Sequence, residues 1–144
     1  MGYESSRNRK AERRAVRRLA SYLGAFDFVF LPKYARADAI LFFEDGPPML
    51  VEFKERACTS TQYRTLQISA DKVETITTIG QQLKMDVVLL VEYDDVIGYY
   101  PVDVDGLRRY HRSIGGNSAR EPEMMMNIPV REFVRIPQAR RIAA

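Results

Sequence analysis

The sequence predicts an α/β protein in which a mixed central β-sheet is flanked by helices. Three observations support this: an amphipathic N-terminal segment, a series of short β-like runs, and a helical segment between the third run and an apolar fourth run. A strand, a long helix and a buried strand in succession indicate a right-handed crossover within one sheet. The predicted order is α-β-β-β-α-β-β, in a single domain over residues 1–144 with a core at about 7–102 and a C-terminal extension at 103–144.

The first predicted helix spans residues 5–23, where apolar side chains recur with helical periodicity. Glu12 lies in the middle of the apolar stripe, one turn before Val16. A carboxylate that faces the protein interior is costly unless a cation or a metal ion meets it, so Glu12 is a candidate site residue. Gly24 is the predicted C-cap. The stripe consists of Ala15, Val16, Leu19, Tyr22 and Leu23.

Positive charge is concentrated at the N-terminus. The net charge of the chain is +3, but seven basic residues and two glutamates give residues 1–18 a net charge of +5. A concentrated basic block attracts a polyanion, and duplex DNA is the commonest one in a cytosol. The alternative is a solvated helix face that promotes solubility. The basic residues are Arg7, Arg9, Lys10, Arg13, Arg14, Arg17 and Arg18.

The predicted strands are short runs at 26–31, 37–43, 49–54, 86–93 and 96–102. Residues 44–48, Glu-Asp-Gly-Pro-Pro, have the composition of a hairpin turn between the second and third runs. Residues 87–91 are apolar without alternation, which is typical of a strand covered on both faces.

A second helix is predicted over residues 61–84. The C-terminal third has a weaker pattern, which indicates a short helix at 106–110, a flexible loop at 113–123 and a last strand at 128–136. The inner side of the second helix is expected to carry Leu66, Ala70, Val73, Ile76, Thr77, Gly80 and Leu83.

Composition excludes several classes of protein. Cys58 is the only cysteine, which rules out an internal disulfide and a cysteine-based zinc site and suits a reducing cytosol. His111 is the only histidine, so a histidine-rich metal cluster is also ruled out. No run of 18 apolar residues and no secretory signal is present. We therefore expect a cytoplasmic protein, in the host cytoplasm if viral, that does not bind a membrane.

The most informative segment is Arg-Ala-Asp-Ala-Ile at 36–40, followed by Leu-Val-Glu-Phe-Lys at 50–54. Side chains alternate along a strand, so Glu52 and Lys54 share one face while Val51 and Phe53 enter the other. The hairpin then brings Asp38 beside Glu52. The alternative is a surface salt bridge between Glu52 and Lys54, which the E-x-K spacing alone does not exclude.

Two carboxylates and an ammonium at one point suit a magnesium site. Mg²⁺ prefers oxygen ligands and keeps several waters, and the backbone carbonyl of Phe53 could be a further ligand. Such an ion lowers the pKa of a bound water and offsets negative charge on a phosphate. Lys54 could orient or help to deprotonate that water.

Asp38, thirteen intervening residues and Glu52-Phe53-Lys54, after a helix that carries Glu12, resemble the PD-(D/E)XK nuclease superfamily. The closest resemblance is to the archaeal-type Holliday-junction resolvases and related phage nucleases, although Ala37 stands where many relatives have proline. The resemblance implies a restriction-endonuclease-like core and a catalytic set of Glu12, Asp38, Glu52 and Lys54. It also implies that Asp38, Glu52, the Phe53 carbonyl and Glu12 hold Mg²⁺, for which Mn²⁺ substitutes.

The implied activity is that of a magnesium-dependent endodeoxyribonuclease acting on branched or double-stranded DNA, as a homodimer in DNA recombination or repair. Two alternatives stay open: a general phage-type DNA-processing nuclease without junction selectivity, and an inactive nucleic-acid-binding module of the same fold. Phosphate contact and an ordinary surface role are equally open for Gln67 and Lys72, and Tyr63 is expected to pack on a strand. The candidate DNA-binding residues are Arg9, Lys10, Arg13, Arg14, Arg17, Lys33, Arg36, Arg56, Arg64, Gln67 and Lys72.

Overall fold

The computed structural model describes residues 6–115 and 122–137. None of the helices in these two ranges is both long and apolar enough to cross a membrane. In chain order the elements are α1 Ser6–Leu23, β1 Asp27–Phe30, β2 Ala39–Phe42, β3 Met49–Glu55, β4 Thr65–Ser69, α2 Ala70–Leu83, β5 Asp86–Glu92, β6 Ile97–Pro101, α3 Val104–Leu107, β7 Arg112–Gly115, β8 Glu123–Pro129, a 3₁₀ turn Val130–Glu132, and β9 Val134–Ile136.

The strands form two sheets. The main sheet has the order β1-β2-β3-β5-β6-β9, and in it β3 and β5 run parallel while the other neighbours run antiparallel. The chain crosses from β3 to β5 through α2, as the strand-helix-strand pattern predicts. The mixed central sheet with flanking helices is therefore confirmed. A smaller antiparallel sheet has the order β4-β8-β7.

Helix α1 packs on one face of the main sheet. Ala15, Val16 and Leu19 are fully buried in one cluster with residues of β3 and β5, which confirms most of the predicted apolar stripe. Tyr22 is the exception, because it is 48% exposed and its ring lies beside Tyr99, with 6.0 Å between the centroids. The helix ends at the predicted C-cap, where Gly24 has φ of +78°.

Helix α2 packs on the opposite face. Val73 belongs to one core cluster with Leu89 and Val91, whereas Ile76 belongs to a smaller cluster with Leu50. Gly80 marks the closest approach, since a Cβ there would lie 2.5 Å from Cγ2 of Val87. The main sheet is thus covered on both faces, which explains the uninterrupted apolar run in β5.

The prediction of one helix over 61–84 is wrong for its first part. Residues 65–69 form β4, which pairs with β8, and the helix begins only at Ala70. Leu66 and Ile68 are buried and Gln67 between them is exposed, which is the alternation of a strand. The helix prediction followed from the spacing of Leu66 and Ala70, because residues four apart share a face in a helix as well. At the far end Leu83 is 62% exposed, so it is not on the inner side of α2.

The C-terminal predictions also need correction. The predicted loop at 113–123 overlaps β7 and the start of β8, while residues 116–121 lie outside the described ranges. The predicted strand at 128–136 is instead the end of β8, a 3₁₀ turn and β9. The short helix starts two residues earlier than predicted, where the Asp103 carboxylate accepts a hydrogen bond from the backbone N–H of Asp105. This C-terminal segment supplies strands to both sheets.

Candidate active site

Strand β3 presents its side chains to opposite faces, as predicted. Val51 and Phe53 lie in the cluster under α1, whereas Leu50 lies in a cluster with residues of α2. Glu52 and Lys54 share the α2 face with Leu50 because side chains two residues apart on a strand point the same way. The carboxylate and the ammonium are therefore held where β3 ends, beside the start of α2.

Two hydrogen bonds attach Asp38 to β3. Its backbone N–H donates to the carbonyl of Val51 (2.9 Å), and its Oδ2 accepts from the backbone N–H of Phe53 (2.7 Å). The β2–β3 register pairs Ala39 with Val51, so one further step along both strands places Asp38 opposite Glu52. The structure thus brings these two acids together.

The environment of Glu52 disfavours its charge. Its residue exposure is only 9%, and burial raises its pKa to about 7, with the negative charge of Asp38 adding to the effect. The positive charges of Lys54 and Lys72 oppose this shift. A buried carboxylate beside a second carboxylate is a position that a cation would stabilise.

Lys54 lies next to Glu52, with 3.5 Å between Nζ and Oε1. Burial lowers the pKa of the Lys54 ammonium; Glu52 opposes that effect, and the nearby charges of Lys72 and Arg56 add to it. Both side chains of the pair are largely buried, at 22% and 12% exposure. The pair is therefore not the solvated surface salt bridge that the E-x-K spacing alone left open.

All four candidate catalytic residues line one cavity of about 410 Å³, together with part of the predicted DNA-binding set. Glu12 reaches it from α1, while the others come from the β2–β3 ribbon. The basic residues that line the cavity are Arg9, Lys33, Arg36, Arg56 and Lys72.

The other candidate DNA-binding residues lie away from this cavity. Lys10 and Arg17 are exposed on α1, and Arg13 lies over the ring of Phe30, 5.5 Å from its centroid. Arg14 forms an ion pair with Glu92 at 2.7 Å. Arg64 and Gln67 are exposed on and before β4, not on the second helix as predicted.

Four further residues line the cavity and were not singled out from the sequence: Ala35, Glu55, Asp71 and Thr75. Asp71 and Thr75 lie one turn apart in the first turns of α2 and flank Lys72. The prediction that started the helix near residue 61 placed these positions in mid-helix. The true start of the helix at Ala70 places its first turns beside the end of β3. A correct prediction of that start would have identified Asp71 and Thr75 as candidates.

The acidic side chains of the cavity can supply only a few ligands to a metal ion. Within the two described ranges, no three or more His, Cys, Asp or Glu side chains are clustered closely enough to hold a metal ion. Glu12 lines the cavity wall without completing such a cluster with Asp38 and Glu52. Mg²⁺ is commonly bound by one or two carboxylates with waters and substrate phosphate. The Asp38–Glu52 pair fits that mode of binding.

A mixed sheet with flanking helices that brings an aspartate, a glutamate and a lysine into one basic cavity defines a nuclease of the PD-(D/E)XK class. The chain belongs to the family described as "Phage putative PDDEXK endonuclease", whose model matches residues 1–136. The predicted superfamily is therefore confirmed. No curated protein sequence matches the chain significantly.

Among solved structures, the chain is similar to Hjc of Archaeoglobus fulgidus, a Holliday junction resolvase from an archaeal hyperthermophile. The TM-score is 0.56 at 16% sequence identity, and the match covers 86% of this chain and 90% of that chain. This similarity confirms the predicted fold.

Proposed function

We propose that this protein is a divalent-metal-dependent endodeoxyribonuclease that hydrolyses phosphodiester bonds, with Mg²⁺ as the natural ion and Mn²⁺ as a substitute. The observation that carries the proposal is that Asp38, Glu52 and Lys54 lie side by side in one cavity that is also lined by basic residues. Membership of an endonuclease family supports the reaction type.

In this proposal Asp38, Glu52 and the backbone carbonyl of Phe53 would hold the ion, and Glu12 lines the same cavity. The ion, when bound, lowers the pKa of a water and offsets negative charge on the scissile phosphate. The hydrogen bond from the Phe53 N–H fixes the orientation of the Asp38 carboxylate. The raised pKa of Glu52 supports its role as a ligand, because a cation removes the cost of two adjacent buried charges.

Lys54 is proposed to orient the attacking water and to stabilise charge on the scissile phosphate. Its lowered pKa supports this role, because an ammonium that releases its proton more easily is a better partner for a proton in transit. Lys72 is proposed to bind an adjacent phosphate, since its charge acts on both Glu52 and Lys54.

The DNA backbone is proposed to follow the basic rim formed by Arg9, Lys33, Arg36 and Arg56. The exposed residues Lys10, Arg13 and Arg17 would extend this track along α1. Arg14 is better explained as a structural residue, because it neutralises Glu92, whose side chain is only 14% exposed. The backbone of Gln67 lies near the end of the track, because its carbonyl accepts a hydrogen bond from Arg56.

The physiological substrate is proposed to be branched DNA, cut by a homodimer during phage recombination or repair. The fold shared with a Holliday junction resolvase favours this substrate over linear duplex. A two-fold dimer would place two cavities for symmetric cleavage. Analytical ultracentrifugation with and without a four-way junction tests the dimer, and a monomer in both states would contradict it.

The test of function is a gel assay with labelled four-way junction, flap, duplex and single strand in Mg²⁺, Mn²⁺, Ca²⁺ or EDTA. We expect cleavage in Mg²⁺ and Mn²⁺, with the junction cut faster than a duplex of matched length. Equal rates on junction and duplex would favour the general DNA-processing nuclease. Binding without cleavage of any DNA in either metal would favour the inactive binding module.

A further inference from the structure

A second cavity, of about 310 Å³, lies beside the active-site cavity, and Arg56 lines both. Its floor is apolar, because Leu66, Tyr93 and Cys58 belong to the core cluster between the two sheets. Tyr63, Thr65 and Gln67 complete its lining. We call this space the Tyr63 cavity. Its volume is at the lower end of the roughly 300–1,000 Å³ typical of small-molecule sites.

Arg56 is a fixed wall between the two cavities. Its Nη2 donates to the carbonyl of Gln67 (2.9 Å) and its Nη1 to the carbonyl of Glu55 (3.2 Å). Its backbone N–H donates to the carbonyl of Glu92 (2.9 Å). The guanidinium is thus attached to both β3 and β4. A DNA strand whose phosphate binds the Arg56 guanidinium in the active-site cavity would therefore lie directly beside the Tyr63 cavity.

Tyr63 is 61% exposed, contrary to the expectation that it packs on a strand. An exposed ring costs free energy, unless a ligand covers it. Aromatic rings and guanidinium planes are the groups on which proteins stack unpaired bases. An apolar floor, an aromatic rim and a fixed guanidinium together fit a nucleobase better than a phosphate.

We propose that the Tyr63 cavity binds one unpaired nucleobase of the strand whose phosphates occupy the active-site cavity. This inference rests on the proposed function and narrows its substrate class. In a continuous duplex every base is stacked and paired, and extracting one costs free energy. A branch or a flap places an unpaired or easily unstacked nucleotide next to the cut. Such a nucleotide can fill the cavity without the free-energy cost of extracting a paired base. The cavity would therefore select for such DNA.

The test measures the affinity of the full-length protein for flap DNA in Ca²⁺, by fluorescence anisotropy of a dye on the distant duplex end. Each nucleotide around the branch is replaced in turn by an abasic analogue, which keeps the phosphate charge and removes only the base. At one position we expect the abasic DNA to bind more weakly by on the order of tenfold. Tyr63→Ala should remove this difference, and Tyr63→Phe should keep it.

Tyr22→Ala is the matched control, because it removes another exposed tyrosine, near the C-terminal end of α1, that lines neither cavity. It should leave the base preference unchanged, and circular dichroism checks that each variant is folded. No base preference at any position, or a preference that survives Tyr63→Ala, overturns the inference.

Cleavage of the same DNAs in Mg²⁺ separates the two proposals. Cleavage without any base preference would leave the nuclease proposal standing and reject the role of the Tyr63 cavity. A base preference lost in Tyr63→Ala without cleavage of any DNA would reject the nuclease proposal and support base binding in the cavity.

Discussion

The backbone N–H of Phe53 donates a 2.7 Å hydrogen bond to Oδ2 of Asp38. Phe53 lies between Glu52 and Lys54 in sequence, so the same stretch of β3 that carries two of the candidate catalytic side chains also orients the third. The side chain of Phe53 is anchored in the core under α1. The geometry of the site therefore depends on packing on the far face of the sheet.

Asp38→Asn should abolish cleavage while DNA binding in EDTA or Ca²⁺ stays largely intact. The amide removes a metal-binding charge but preserves the size of the side chain, and the loss should be on the order of a hundredfold or more. Single-turnover cleavage and anisotropy titrations measure the two effects. Asp45→Asn, in the exposed hairpin turn, is the control and should retain activity. Full cleavage by Asp38→Asn would remove this residue from the site.

Arg13→Glu combined with Arg17→Glu should weaken DNA binding by on the order of tenfold or more at low salt, since phosphate contacts release counterions. Affinity as a function of salt concentration measures the effect, and the slope should also decrease. The control is Arg108→Glu with Arg131→Glu, an equal charge change at exposed positions away from the cavity. Equal effects of the two pairs would mean that only net charge matters.

Without metal, the stability of the fold should fall as pH rises from about 4.5 to about 7. Burial raises the pKa of Glu52 from 4.5 to about 7, so the folded state binds more protons than the unfolded state in this window. The loss should be on the order of 2 kcal/mol. Urea unfolding in EDTA across this range measures it.

Glu52→Gln cannot titrate at this position and should lack that part of the pH dependence. Glu44→Gln, exposed at the hairpin turn, is the control and should behave like the unmodified protein. Identical pH profiles for Glu52→Gln and the unmodified protein would contradict the assignment.

Ser69→Ala should destabilise the protein by about 1 kcal/mol. The Ser69 side chain accepts a hydrogen bond from the backbone N–H of Lys72 at the start of α2, and it donates one to Glu123 in β8. Thermal and urea unfolding measure the loss. Ser21→Ala, at an exposed position in α1, should change stability by less than about 0.5 kcal/mol. A neutral Ser69→Ala would mean that water replaces the cap.

The sequence was sufficient to predict α1, the hairpin and the face of β3 that carries Glu52 and Lys54. These features depend on local periodicity, on a Gly-Pro turn and on strand alternation, which a short window of sequence contains. It was also sufficient to place Asp38 opposite Glu52, because a short hairpin restricts the register.

The start of α2 could not be predicted in the same way. Leu66 and Ala70 fit both a strand and a helix, because residues four apart share a face in either structure. Only the pairing of β4 with β8, some 60 residues later in the chain, decides between them. The Tyr63 cavity was hidden for the same reason, because it forms where that sheet meets the end of β3. Non-local pairing therefore determines the parts of the site that the sequence left open.

The late position of β8 and β9 has a consequence for synthesis on the ribosome. A nascent chain that has reached residue 102 already contains every candidate catalytic side chain, yet β4 lacks the neighbour that covers Leu66 and Ile68. We expect that in such an intermediate the start of α2, which follows β4 directly, is not held in place. Lys72, in the first turn of α2, is then not held in place either. Lys72 would then reach its position in the cavity only after β8 has been synthesised.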